Sequence, residues 1–306
     1  MTARGISYYE ATARTRVAAL VDAGSFTEFC GAAERLTSPH LAALGAPVAF
    51  DDGVVAGSAT LGRRPVLLAA QEGKFNGGAV GEVHGAKIRG LLDRACVERP
   101  AAVLLLVDSG GVRLHEANAG LIAISEIMRA LLAARAAGVP VIALVGGSCG
   151  AFGGMGIVTR LCSAVVMSEE GRLSLSGPEV IETVKGVEEF DSRDRALVWR
   201  VTGGKLRRAL GEAQLLVNDD VAAFREGVIG LLASPAAVAA EDGGLAQLRA
   251  EHAALADRAT RFATARDGRE IWRAQGFAAP ERVPMLAADE FNRALAEAVG
   301  ANGGAA

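Results

Sequence analysis

The stretch VIALVGGSCGAFGGMG, residues 141–156, is an apolar run that passes directly into a cluster of glycines. A strand with one wet face alternates apolar and polar residues, so an unbroken run of this length reads as a strand buried on both faces. The glycines mark a tight turn, and a short helix is expected near 151–161. The same unit stands earlier in the chain. AAVLLLVDSGG (101–111) is a second buried strand ending in glycines, and NAGLIAISEIMRALLAARAAG (118–138) is a long helix with Gly138 placed as its stop. Repeated strand–turn–helix units predict an α/β layered core with parallel strands.

Outward from these units the rhythm changes. Residues 8–45 read as helix and loop. PVAFDDGVVAGSATLGRRPVLLAA (47–70) has short apolar runs broken by Asp-Gly and Gly-Arg-Arg, which predicts consecutive antiparallel strands. AVGEVHGAKIRGLLDRACVERP (79–100) is a helix ending at a proline. SAVVMSEEGRLSLSG (163–177) reads as a hairpin, and PEVIETVKG (178–186) as a helix with Pro178 in its first turn. Beyond about 235 the chain turns Ala-rich and charged, as helices that pack on the core or on a neighbour. The expected division is a domain over 1–235 and a helical C-terminal extension over 236–306.

Composition narrows the function. The 306 residues are 51% hydrophobic and 22% charged, the balance of a soluble globular protein. A net charge of −3 gives no electrostatic reason to expect nucleic acid or an acidic membrane surface. No apolar run reaches the roughly 18 residues that span a bilayer. The N-terminus MTARGISYYEATARTR has no apolar h-region, so a cytoplasmic location is expected. Cys30, Cys96, Cys149 and Cys162 are too irregularly spaced for a zinc or redox motif and are expected to be buried thiols. His115-Glu116 begins like a zincin motif, but Ala119 stands where its second histidine belongs, so no metal site is expected.

Gly146-Gly147-Ser148-Cys149-Gly150 also fits the G-x-S-x-G nucleophile elbow of hydrolases. That chemistry needs an acid and then a histidine after the serine, and the one later histidine, His252, lies in an Ala-rich charged segment. The alternative use of the turn is its backbone. Glycine lets a ligand approach the main chain closely, and two such turns at adjacent strand ends aim N–H groups into one crevice, which suits an oxyanion. Neither turn is a phosphate loop, since the Walker and G-x-G-x-x-G patterns are both absent. Lys74, beside Gly77-Gly78, is a candidate phosphate contact. Arg113 reads as a structural ion-pair member, Glu82 and His84 as packing residues, and His115 as a proton donor or a brace for its turn.

Three further segments carry a family resemblance. DSGGVRLHE (108–116), KFNGGAVGEVHGAKI (74–88) and LSGPEVIETVKG (175–186) resemble, in order, the D-S-G-G-A-R, G-G-S-x-G-E-x-H-x-x-K-I and A-G-P-x-V-I-E-x-T segments of acyl-CoA carboxyltransferases. Val112, His115 and Ala79 are mild departures from that pattern. The resemblance implies a crotonase-like (ClpP/crotonase) spiral of strand–strand–helix units. SGPEVIETVKGVEEFDSRDRALVWRVTGG (176–204) and SYYEATARTRVAALVDAGSF (7–26) resemble the β subunits of biotin-independent malonate decarboxylases within that group.

Those subunits decarboxylate a malonyl thioester carried on the phosphopantetheine thiol of an acyl carrier protein. The resemblance implies that Gly110 and Gly111 supply an oxyanion hole. Lys74, Gly77, Gly78 and Val112 would then border the thioester, and Gly147, Ser148, Cys149 and Gly150 would shape its channel. It implies no covalently bound cofactor, no biotin and no metal on this chain. It also implies a homologous γ subunit and an acyl carrier protein as partners. A carboxyltransferase subunit of a biotin-dependent carboxylase and a non-catalytic scaffold are the rival readings.

Overall fold

A computed structural model describes residues 5–234, 238 and 245–303. Its centre is a seven-stranded sheet in which every strand lies beside its predecessor in sequence. β1 (Thr27–Phe29), β2 (Val54–Leu61) and β3 (Arg64–Gln71) are antiparallel. From β3 onward, β4 (Ala102–Val107), β5 (Val141–Val145), β6 (Ala164–Ser168) and β7 (Leu215–Val217) are parallel. The β2–β3 hairpin turns through Gly62 and Arg63, both at positive φ, the geometry that matches strand twist in a two-residue loop.

The unbroken apolar runs are buried on both faces, as their composition requires. Val103, Leu105 and Val107 of β4 pack with residues of α3 (Glu82–Glu98) and α4 (Ala119–Ala136). Ala102, Leu104 and Leu106 face the opposite layer, where α1 (Ala13–Leu20) and α9 (Val221–Ala233) lie. Gly138, at φ +81°, follows the end of α4 where the sequence placed its stop.

The spiral of strand–strand–helix units is present in reduced form. The second strand of each unit is a single bridge: Val80 pairs with Val112, Ser109 with Ala151, and Ala151 with Leu173, all parallel. This overturns the expected hairpin over 163–177. After β6 the chain crosses the end of β5, where a Cβ on Gly171 would lie 2.2 Å from the Val145 carbonyl, and Leu173 joins Ala151 instead of folding back. β1 is a second departure, an edge strand inside a segment read as helix and loop, where the one-turn helix α2 (His40–Ala43) follows it. Three residues are too few to show an alternation.

α6 (Pro178–Lys185) opens at Pro178 as expected. α7 (Arg195–Thr202) and α8 (Gly204–Ala209) lead to β7. The C-terminal helices α10 (Leu245–Arg261), α11 (Gly268–Ala274) and α12 (Ala288–Gly303) follow. Trp272, Phe277 and Phe291 make a third apolar cluster with Leu206 and Leu216, so α11 and α12 pack on the core. None of the residues of α10 is buried. The expected boundary at 235/236 lies outside the described residues. Cys30 is exposed at φ +50°, against the expectation of buried thiols; Cys96 and Cys149 are half-buried and Cys162 is buried.

Candidate active site

The C-terminal ends of β3, β4 and β5 are adjacent in the sheet, so the two glycine turns expected to share a crevice meet the Gly77-Gly78 loop along one rim. Hydrogen bonds tie them together. Gly110 N–H donates to the Gly77 carbonyl at 2.9 Å, Ser109 N–H to the Gly150 carbonyl at 2.7 Å, and Phe152 N–H to the Ser109 carbonyl at 3.0 Å. The Cys149 thiol donates to the Gly73 carbonyl at 3.3 Å. Glycine is required where these loops touch. Gly78, at φ +65°, would place a Cβ 1.8 Å from the Asp108 carbonyl, and Gly147 would place one 2.2 Å from the Asp108 carboxyl carbon.

The N–H groups of the rim are not equivalent. That of Gly110 is taken by the Gly77 carbonyl, which ties the turn to the Gly77-Gly78 loop and occupies that N–H. Gly111 N–H has a long 3.3 Å contact with the Ser109 hydroxyl. Beside it stands the N-terminus of α5 (Gly154–Leu161), the short helix expected near 151–161. Its cap, Gly153 at φ +58°, has no side-chain cap bond, and a Cβ there would lie 3.5 Å from the Gly111 Cα. The Gly154 and Met155 N–H groups have no hydrogen-bond partner among the described residues. Free N–H groups at the positive end of a helix dipole favour an anion.

The remaining expected residues fall around the rim. Lys74 and Gly77 are exposed, while Val112 and Ser148 are half-buried. The Arg172 guanidinium donates to the Ser148 carbonyl. His252 sits exposed on α10, none of whose residues is buried, and makes no hydrogen bond to Ser148, so Ser148 lacks the histidine an elbow nucleophile needs. His115 is exposed on a cavity of about 280 Å³ that Phe75, Asn76 and Arg113 also line. A larger cavity of about 470 Å³, between β1 and α3, contains none of the three turns.

Under the rim lies a buried polar layer. Arg113 donates to Asp51 at 2.5 and 3.1 Å, to Glu116 at 2.9 Å and to the Ala79 carbonyl at 2.9 Å, the structural role expected for it. His84 is fully buried, 3.0 Å from the Gln71 amide nitrogen. Burial, reinforced by Arg113, pushes its pKa down to about 3, so it is neutral. A second buried pair was invisible in the sequence: Arg16 of α1 donates to Asp108 at 2.8 Å. No group of three or more His, Cys, Asp and Glu residues suited to a metal occurs among the described residues. No helix there is long and apolar enough to cross a membrane.

This arrangement, crossover units with a backbone-lined crevice at the strand ends, is that of the carboxyl transferase domain, whose family model matches residues 8–235. The chain belongs to that family. Within it, the similarity extends to proteins of malonate metabolism. The chain is 44% identical over 243 residues to the malonyl-S-ACP:biotin-protein carboxyltransferase MADC of Malonomonas rubra, covering 75% of this chain and 76% of the relative. A Pseudomonas malonate decarboxylase hetero-tetramer solved with malonate superposes with a TM-score of 0.71 at 44% identity, over 75% of this chain and 84% of that one. The Pseudomonas malonate decarboxylase MdcD-MdcE hetero-dimer gives 0.64 at 37% identity, over 80% and 94%.

Proposed function

We propose that the chain is the β subunit of a malonate decarboxylase, acting on malonyl carried as a thioester on an acyl carrier protein. The observation that carries this reading is the placement of Gly111 against the N-terminus of α5. When CO2 leaves a malonyl thioester, the electrons of the broken C–C bond delocalise onto the thioester oxygen as an enolate. Fixed N–H donors at that oxygen favour the charged transition state over the neutral ground state. Gly111, Gly154 and Met155 are the donors of this reading. Gly110 and the Gly147–Gly150 turn hold the crevice open, with Gly77, Gly78 and Val112 beside the thioester and Lys74 at its phosphate end. Ser148 is not a nucleophile. The carrier's phosphopantetheine supplies the thiol, and this chain itself carries no biotin or metal.

The family match accounts for one carboxyl transferase domain, and we infer that a homologous γ subunit completes the site. Large apolar side chains stand uncovered close to the rim: Leu114 is 84% and Leu175 67% exposed, with Ile157 on α5 also exposed. Apolar groups grouped in this way mark a contact surface. A cytoplasmic location belongs to the same reading.

The likeness to a malonyl-S-ACP:biotin-protein carboxyltransferase supports a second reading, in which the same enolate forms but the carboxyl group passes to biotin. Avidin separates the two. Decarboxylation by the assembled complex is expected to proceed unchanged with excess avidin. Inhibition by avidin that free biotin reverses would establish the carboxyltransferase instead.

A further inference from the structure

Asp108 touches all three loops of the rim. Its N–H donates to the Gln71 side chain at 3.2 Å at the end of β3. One carboxylate oxygen accepts the Cys149 N–H at 2.6 Å, and the other accepts from Arg16 at 2.8 Å. Gly73 and Gly147 both pack so close to the carboxylate that neither tolerates a Cβ. Arg16 is equally fixed. It donates to the Tyr8 carbonyl at 2.7 Å and to the Tyr9 carbonyl at 3.3 Å, and its guanidinium lies 4.7 Å from the Tyr8 ring centroid. Both side chains are 2% exposed.

A buried ion pair is a poor source of stability, because an apolar pair of similar volume commonly does as well. A charge two residues before Gly110 has an electrostatic consequence instead. An unneutralised carboxylate there would oppose the negative charge that develops on an enolate. We infer that Arg16 and Asp108 are positioning residues: the pair locks the Gly147–Gly150 turn to the other two loops through the Cys149 N–H, and Arg16 neutralises the carboxylate beside the oxyanion crevice. This rests on the thioester-enolate reading for its effect on rate, but not for its effect on the turn.

The groups facing Asp108 are Arg16 from α1, Tyr8 before it, Glu72 after β3 and Cys149 after β5. Glu72 is itself held, accepting the N–H groups of Ala13 at 2.9 Å and Lys74 at 3.1 Å. Arg16 is the cation of this group.

Three variants, Arg16→Met, Asp108→Asn and the two combined, test the inference in the complex with the partner subunit, using malonyl–acyl carrier protein. Each single variant, once assembled, is expected to lose about 10- to 100-fold in kcat with KM changed less than about threefold, the mark of an effect realised in the transition state. The double variant has a neutral pair whose amide oxygen still accepts the Cys149 N–H. It should regain thermal stability and at least part of the lost kcat. In Arg16→Met the unpaired carboxyl protonates more readily, so kcat relative to wild type should rise roughly tenfold from pH 8 to pH 6. Assembled single variants with wild-type kcat, or losses that follow only the folded fraction, would overturn the inference. If the wild-type complex itself fails to turn over, the functional reading fails alone. Amide exchange at Cys149 then decides the positioning claim: exchange at least about tenfold faster in Asp108→Asn supports it, and an unchanged rate overturns it.

Discussion

Gly111 and Ser148 sit on neighbouring turns, and substitution separates a backbone donor from a hydroxyl nucleophile. Gly111→Pro removes one N–H and also forces a residue at φ +143° out of its conformation, so kcat is expected to fall by at least the roughly 10²- to 10³-fold of losing an oxyanion donor. Ser148→Ala keeps the backbone and should leave most of the activity. Steady-state kinetics on folded, assembled variants checks both; a dead Ser148→Ala would revive the elbow. His84 supplies a stability test. Its pKa falls from an ordinary 6.5 to about 3 on folding, so the unfolded chain takes up the proton first. Its contribution to stability is therefore complete above pH 6.5 and is lost as the pH drops toward 3, by up to about 1.4 kcal/mol per pH unit. Glu169, which burial raises to about 7, acts with the opposite sign as the pH falls from about 7. The measurement is therefore a difference: in denaturant titrations at pH 7 and 5.5, His84→Gln should lose less stability on acidification than wild type does.

At the scale of elements, the rim loops owe their shape to glycines with different duties. Gly77 and Gly78 both have positive φ, yet a Cβ at Gly77 meets nothing within 4 Å while one at Gly78 strikes the Asp108 carbonyl. Gly77→Ala should cost only the left-handed backbone penalty, about 1–2 kcal/mol. Gly78→Ala should cost roughly 3 kcal/mol or more, since backbone rather than a movable side chain blocks it. Equal midpoints for the two variants in thermal unfolding would contradict this packing. The three glycine segments were legible because a turn that needs glycine advertises itself in the sequence. The doubly buried strands were legible from their unbroken apolar runs, as was the Gly138 stop. The Arg16–Asp108 pair was not: its members lie 92 positions apart, and an arginine in ATARTR looks like any exposed helical cation. The false hairpin after β6 has a related cause. A chain that crosses a neighbouring strand end and one that folds back share the same turn residues, and only the sheet order separates them.

At the scale of the whole molecule, the apolar side chains of Leu114 and Leu175 stand exposed near the rim of the crevice. We propose an assembly in which this chain contributes the enolate-stabilising backbone and a homologous subunit completes the site. The most direct measurement is CO2 release from malonyl–acyl carrier protein by the purified chain, alone and after addition of the γ subunit from the same host. The chain alone should give near-background release, and sustained decarboxylation to the acetyl thioester should appear once both subunits are present. Full turnover by the single chain, or none from a stable two-subunit complex given malonyl–acyl carrier protein, would contradict the proposed assembly.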